Sequence, residues 1–252
     1  MGAAIITMSD LQINDGGNSQ QPGAVNSQLA LQAWLSPAYP VGGYAYSHGL
    51  EAAAEQGNVC DYETLRAWIE DNLRYGSGWN DAIIMYQTAR IYAARPKQAE
   101  FGALKELAEL ACALTATAEL QQEAMQQGAA FLTVTERSWP HPDFSVFAES
   151  VKESSAYPVC FAMAACCHRV EMQAAVCGYL FAMASAWILA AIRLNLIGQT
   201  AGQQLAGAIA PIAESIAYMA KGATLDDLGG CCFLNDIASF QHETQQARLF
   251  RS

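Results

Sequence analysis

Charge is what this sequence has least of. Only 15% of its 252 residues are charged, against 52% that are hydrophobic. Basic residues are the scarcer kind: 13 Lys and Arg face 24 Asp and Glu, for a net charge of -11. Neutralising nucleic-acid phosphates needs a basic face, as does holding to an anionic membrane surface, so the charge balance argues against both classes. The nucleophile-elbow pattern GxSxG is missing, and so is the phosphate-binding GxxxxGK[ST]. Lys221-Gly222 has no glycine-rich loop before it. No CxxC pair occurs, which removes zinc ribbons and thioredoxin-like redox motifs. The N-terminal MGAAIITMSDLQINDGG lacks the basic and long apolar parts of a secretory signal. That predicts a cytoplasmic protein whose thiols stay reduced. Most of the eight cysteines stand among Ala, Met and Phe, where they serve as small apolar fillers.

What is abundant is apolar surface, enough for a large core and too much for general disorder. Ala174 to Ile192, AAVCGYLFAMASAWILAAI, carries no charge at all. Its length approaches a membrane span, but Ala, Gly and Ser add little insertion energy. The same pattern describes the central helix of a bundle, the favoured reading, with a small membrane protein built around this segment as the alternative. A low charged fraction also suggests that another protein covers part of the surface.

Residues 1 to 25, containing DGGNSQQPG, read as a flexible tail. Helical signals dominate afterwards. Gln28–Leu35 ends at Pro37, and Leu50–Gln56 ends at Gly57. Asp61 caps a helix with Leu65, Trp68, Ile69 and Leu73 on one stripe, closed by Gly76 and Gly78. Ala82–Ala94 and Gln98–Ala113 follow, then Thr115–Leu132 with a polar side of Glu119, Gln122, Glu123 and Gln126. SWPHPD, residues 138–143, reads as a turn. Tyr157–Val170 and Met172–Ile197 are the most apolar helices, and Thr200–Ala220 contains Pro211, which bends or splits it. No strand alternation or internal repeat is evident. The expectation is an all-α single helical bundle domain of about ten helices. Its parts are the tail over 1–25, the domain over 26–238 and a C-terminal partner-binding segment over 239–252.

Candidate chemistry is thin. His48 and Glu51 stand three apart and on a helix could face one metal ion, which makes His48 a weak metal candidate. Adjacent Cys166, Cys167 and His168 point in diverging directions, as do Cys231 and Cys232. Buried thiols and a surface histidine explain the same residues, and no catalytic residue stands out. Arg193 closes the uncharged run, either as a charge near a helix end or to meet an acidic partner. The last residues, SFQHETQQARLFRS, are basic and aromatic in an acidic chain. They are either a frayed end or a peptide that binds a partner through Phe and Arg.

Three blocks together resemble one known family. LSPAYPVGGYAYSHGLE (35–51), AAIRLNLIGQTAGQQL (190–205) and DIASFQHETQQARLFRS (236–252) are similar, in order, to the signatures of the urease accessory protein UreF family. The resemblance spans about residues 28–252. The chain departs from it at Asn195, where the family usually has proline, in the arginine-free ELQQEAMQQGAAFL, and at the Cys231-Cys232 pair.

The resemblance implies a non-enzymatic, dimeric, all-α chaperone in nickel insertion. It would bridge a UreD/UreH-type protein and the GTPase UreG on the urease apoprotein. No resident cofactor is expected, with nickel at most in transit, and modulation of UreG is the alternative role. A metal-dependent helical enzyme built on His48, Glu51 and the cysteines remains a further alternative. Partner contacts carried over are His242, Glu243, Arg248, Leu249, Phe250 and Arg251 for the UreD-type protein, and Tyr46, Glu51 and Arg193 for UreG or gating. Pro37, Pro40, Gly42 and Gly43 would form a rigid turn that fixes the helix bearing Glu51.

Overall fold

The structure, a computed structural model, describes residues 26–94 and 101–252. The expected N-terminal tail and the start of the Gln98–Ala113 helix lie outside the described residues. Eleven α-helices and no strands occur among those described. They are α1 (Ser27–Leu35), α2 (Leu50–Glu55), α3 (Tyr62–Tyr75), α4 (Ser77–Ala94), α5 (Gly102–Ala113), α6 (Ala118–Ser138), α7 (Pro142–Ser150), α8 (Tyr157–Cys167), α9 (Met172–Arg193), α10 (Gln199–Ala220) and α11 (Phe233–His242). The protein is an all-α helical domain, as the periodicity indicated.

The sequence marks most helix ends chemically. Asp61 starts α3 in a reciprocal capping box with Thr64. Asn26, Thr117 and Glu171 each accept main-chain N–H groups at the starts of α1, α6 and α9. α9 stops at Arg193, four residues short of the expected Ile197. There Asn195 takes a left-handed conformation (φ 59°), while Leu196 N–H reaches Ala191 O and Asn195 N–H reaches Ile192 O. Proline cannot adopt that φ, so this chain closes α9 with a residue suited to its own geometry.

Three local expectations are corrected. Gly78 lies inside α4 instead of closing α3. A Cβ there would stand 2.6 Å from the Leu73 Cα, so glycine allows the sharp passage between the two helices. SWPHPD is not only a turn: His141 caps α7 and Pro142 begins it, where a missing N–H costs nothing. α10 runs through Pro211 unbroken.

α8 is the centre of the molecule. Val159, Cys160, Phe161, Ala162, Met163, Ala164 and Ala165 are all fully buried, enclosed by α4, α6 and α9. Trp34 from α1 meets Phe131, Trp139 and Phe161 edge-on, tying α1 to α6 and α8. α6 passes so close to the chain at Ser155 that only glycine fits at 128. α9 pairs with α10 and is long and apolar enough to cross a membrane, yet half of it is buried inside the protein.

Candidate functional site: the joint between residues 36–51 and the C-terminal segment

The 36–51 stretch begins as a chain of tight turns. Ser36 accepts from Ala38 N–H through its hydroxyl and from Tyr39 N–H through its carbonyl. Gly42 has φ 79°, which its missing Cβ makes inexpensive, and a short 3₁₀ turn covers Gly43–Ala45. His48 (φ 57°) and Gly49 (φ 80°) are both left-handed, so α2 starts only at Leu50. His48 and Glu51 therefore do not share a helix face as the spacing suggested. Gly49 lies against the main chain of Asn235 and Ser239, which seats α11 directly on the start of α2.

This turn is the receptor for the end of the chain. Ser47 N–H and hydroxyl both donate to the Ser252 carbonyl, and Arg251 N–H donates to Ala45 O. The Ser252 hydroxyl donates to Glu123. Glu51 is only 7% exposed, and its two carboxylate oxygens take Leu249 N–H at 2.7 Å and Phe250 N–H at 2.9 Å. His242 lies beside them, with Nε2 3.3 Å from Glu51 and Nδ1 2.7 Å from Glu119. Glu119 also receives the Arg248 guanidinium at 2.6 Å, and Arg248 donates further to the carbonyls of Gln245 and Glu243. The Phe250 ring is buried, and the Arg193 guanidinium sits over it at 4.2 Å and over the Tyr44 ring at 3.8 Å. Arg193 also donates to Tyr44 O.

The site residues read from sequence thus converge. Glu51, Arg193, His242, Arg248 and Phe250 form one intramolecular joint. Glu243 contributes its carbonyl, and Leu249 and Arg251 their main-chain N–H groups. Tyr46, largely buried, donates its phenol to Gln126. The C-terminal segment is neither a frayed end nor free. Sequence reasoning missed Ser47, Glu119 and Glu123, although the last two stand four apart on the polar side of Thr115–Leu132.

A groove of about 890 Å³ runs beside this joint, lined among others by Asp81, Tyr179, His48 and Glu123. Tyr179 donates to Asp81 at 2.8 Å. Burial pushes the Asp81 carboxyl up to about 7, and burial raises the Tyr179 phenol well above its usual range, Asp81 adding to that. His48 faces Glu123 at 3.6 Å and Ser77 at 3.2 Å, and its ring lies tilted against Trp187 with centroids 5.1 Å apart. No group of three metal-ligating side chains forms among the described residues. All eight cysteines are free thiols. Burial raises the Cys160 and Cys166 thiols, and the Asp236 carboxylate beside Cys231 raises that one.

Fold and site define an all-α protein whose shared polar site is spent on fastening one of its own segments. The UreF family model matches residues 59–210. Urease accessory protein UreF of Methylobacterium sp. is 44% identical, over 89% of this chain and 88% of the relative. UreF of Azorhizobium caulinodans is 42% identical over 92% and 98%, and that of Mesorhizobium japonicum 44% over 93% and 100%. The chain belongs to the UreF family of urease accessory proteins.

Proposed function

We propose that this protein is a non-catalytic scaffold in nickel insertion into urease, bridging a UreD/UreH-type protein and the GTPase UreG in the cytoplasm. Nickel is cargo of that assembly. The observation that carries the reading is the outer face of α11. Phe233 (75% exposed), Leu234, Ile237 and Phe240 all point to solvent there, although the opposite face of the helix is fully packed. Four large apolar side chains on one exposed helix face mark a surface that another protein covers. Tyr44, on the 36–51 turn that receives the C-terminal segment, is 70% exposed as well. In this reading the apolar face of α11 meets the UreD-type partner, and the Arg193 end of α9 meets the GTPase.

Glu51, buried in the chain, acts on a partner through the segment it holds, and Tyr46 through the turn it fastens to α6. The uncharged, partly exposed stripe of α9, including Ala174, Gly178, Phe181, Ser185 and Leu189, supports self-association into a homodimer.

The test is co-purification with UreD/UreH-type and UreG candidates using the double variant Ile237→Asp, Phe240→Asp. Capture of the UreD-type protein is expected to fall at least tenfold, with helix content unchanged. Undiminished capture would refute the reading.

A further inference from the structure

The groove beside the joint has a polar part that several elements build together. His48 comes from the 36–51 turn, Ser77 and Asp81 from the start of α4, Glu123 from α6, Tyr179 from α9 and Asn235 from α11. These parts abut. His48 meets Ser77 and Glu123, a Cβ at Gly49 would stand 3.2 Å from the Asn235 carbonyl oxygen, and one at Gly76 would stand 3.2 Å from Cys232.

Much of this polarity serves the fold. Asn80, which also lines the groove, gives Nδ2 to Gly230 O and takes the N–H groups of Gly229 and Gly230 on Oδ1. Glu123 accepts from Gln127 and Ser252. Two acceptors stand apart. Asn235 is 2% exposed, and its Oδ1 has no hydrogen-bond partner. A buried amide oxygen without a donor calls for a group that supplies one. Asp81 takes one hydrogen bond among the described residues, from Tyr179 at 2.8 Å, and a carboxylate can accept several.

Charge fixes the sign of a ligand. The carboxylates lining the groove are Asp81, Glu123 and Asp236, and among the described residues Arg193 is its one lysine or arginine. Arg193 is already held over Tyr44 and Phe250 and bonded to Tyr44 O. An anion is repelled here and a cation attracted. Along α9 the wall is apolar, with Ala182, Ala186, Trp187 and Leu189, which suits a carbon chain. A metal ion lacks ligands, since no three ligating side chains group together among the described residues.

We propose that the groove binds a small primary alkylamine, its ammonium group against Asp81 with an N–H for Asn235 Oδ1, and its aliphatic tail along α9. An ammonium group is all donor and this part of the groove offers acceptors, so the two are complementary. The site belongs to the isolated chain and stands independently of the scaffold role.

The probe is hexylamine, added to the full chain and followed by calorimetry and by the indole N–H resonance of Trp187. It is expected to bind at least about tenfold more tightly than hexanol, which has no charge, and than hexyltrimethylammonium, which has no N–H. Asp81→Asn can keep the bond from Tyr179, and Asn235→Ala removes the unpaired oxygen. Each is expected to weaken hexylamine while leaving hexanol unchanged, whereas a merely structural role would move both probes together. Tyr179, His48 and Glu123 face Asp81, and burial holds its carboxyl near 7. The bound cation needs it ionised, so hexylamine affinity rises as pH passes through about 7, and the rise is absent in Asp81→Asn. Hexylamine no tighter than either control, an unmoved Trp187 resonance, unchanged affinity in either variant, or a flat pH profile would each overturn the proposal. If a variant fails to fold, the three probes on the unmodified chain decide.

Discussion

Replacing Glu51 by Ala tests the joint most directly. The substitution removes a carboxylate that accepts two main-chain N–H groups, at 2.7 and 2.9 Å, and that faces a buried histidine. Hydrogen bonds to a charged group contribute about 1.5–3 kcal/mol each. Losing two, partly offset by water reaching the released N–H groups, weakens docking by about 3 kcal/mol. That is roughly a hundredfold change in the docking equilibrium. Alanine is a good helix former, and Glu51 lies in the first turn of α2, so the helix itself survives. Trypsin reads the outcome, because the segment carries Arg248 and Arg251. In the intact protein the Arg248 side chain is held by Glu119 and two carbonyls, which resists cleavage. The variant should be cut after Arg248 at least tenfold faster, with unchanged circular dichroism. Cleavage at the unmodified rate would show that the carboxylate does not hold the segment.

Two further outcomes follow from buried groups. Asp81, held near 7 by burial, keeps its proton in the folded protein at a pH where an unfolded Asp, at about 4, has lost it. Stability from this group is full below about pH 4 and is lost as pH rises through about 7. The full difference would be about 4 kcal/mol, and partial exposure of the side chain to the groove lowers it to about 1–2 kcal/mol. Asp81→Asn should flatten the fall in Tm between about pH 5 and pH 8; an unchanged fall would assign it elsewhere. At Gly128 an added Cβ would stand 1.7 Å from the Ser155 carbonyl oxygen, a main-chain atom with little room to retreat. Gly128→Ala should cost at least about 3 kcal/mol in urea unfolding despite alanine's better helix propensity, and a neutral result would refute the close crossing.

Helix type and the core were legible in the sequence because each helix carries its own evidence. The 3.6-residue stripe of Leu65, Trp68, Ile69 and Leu73, the Asp61 cap and the Gly57 stop are local, and the structure follows them. Errors fell where a signal had two meanings. Gly78 read as a breaker, but its missing side chain admits the Leu73 main chain. Pro142 read as a turn, but proline also begins helices. α11 went unread: its buried side includes Asn235, Ser239 and His242, and its exposed side is apolar, the reverse of the usual pattern.

The sequence by itself determined the all-α class and the family, and its recognisable blocks contain Glu51, Arg193, His242, Arg248 and Phe250. Only the tertiary structure decided what these residues do. Glu51 and Leu249 are 198 positions apart, and nothing in local periodicity or capping encodes a hydrogen bond over that separation. A carboxylate next to a glycine-rich turn looks like a surface residue until α11 packs on α2 and closes water out. Burial then turns Glu51 from a free charge into the anchor of the chain's last residues, because a buried carboxylate must find donors and the returning main chain supplies them.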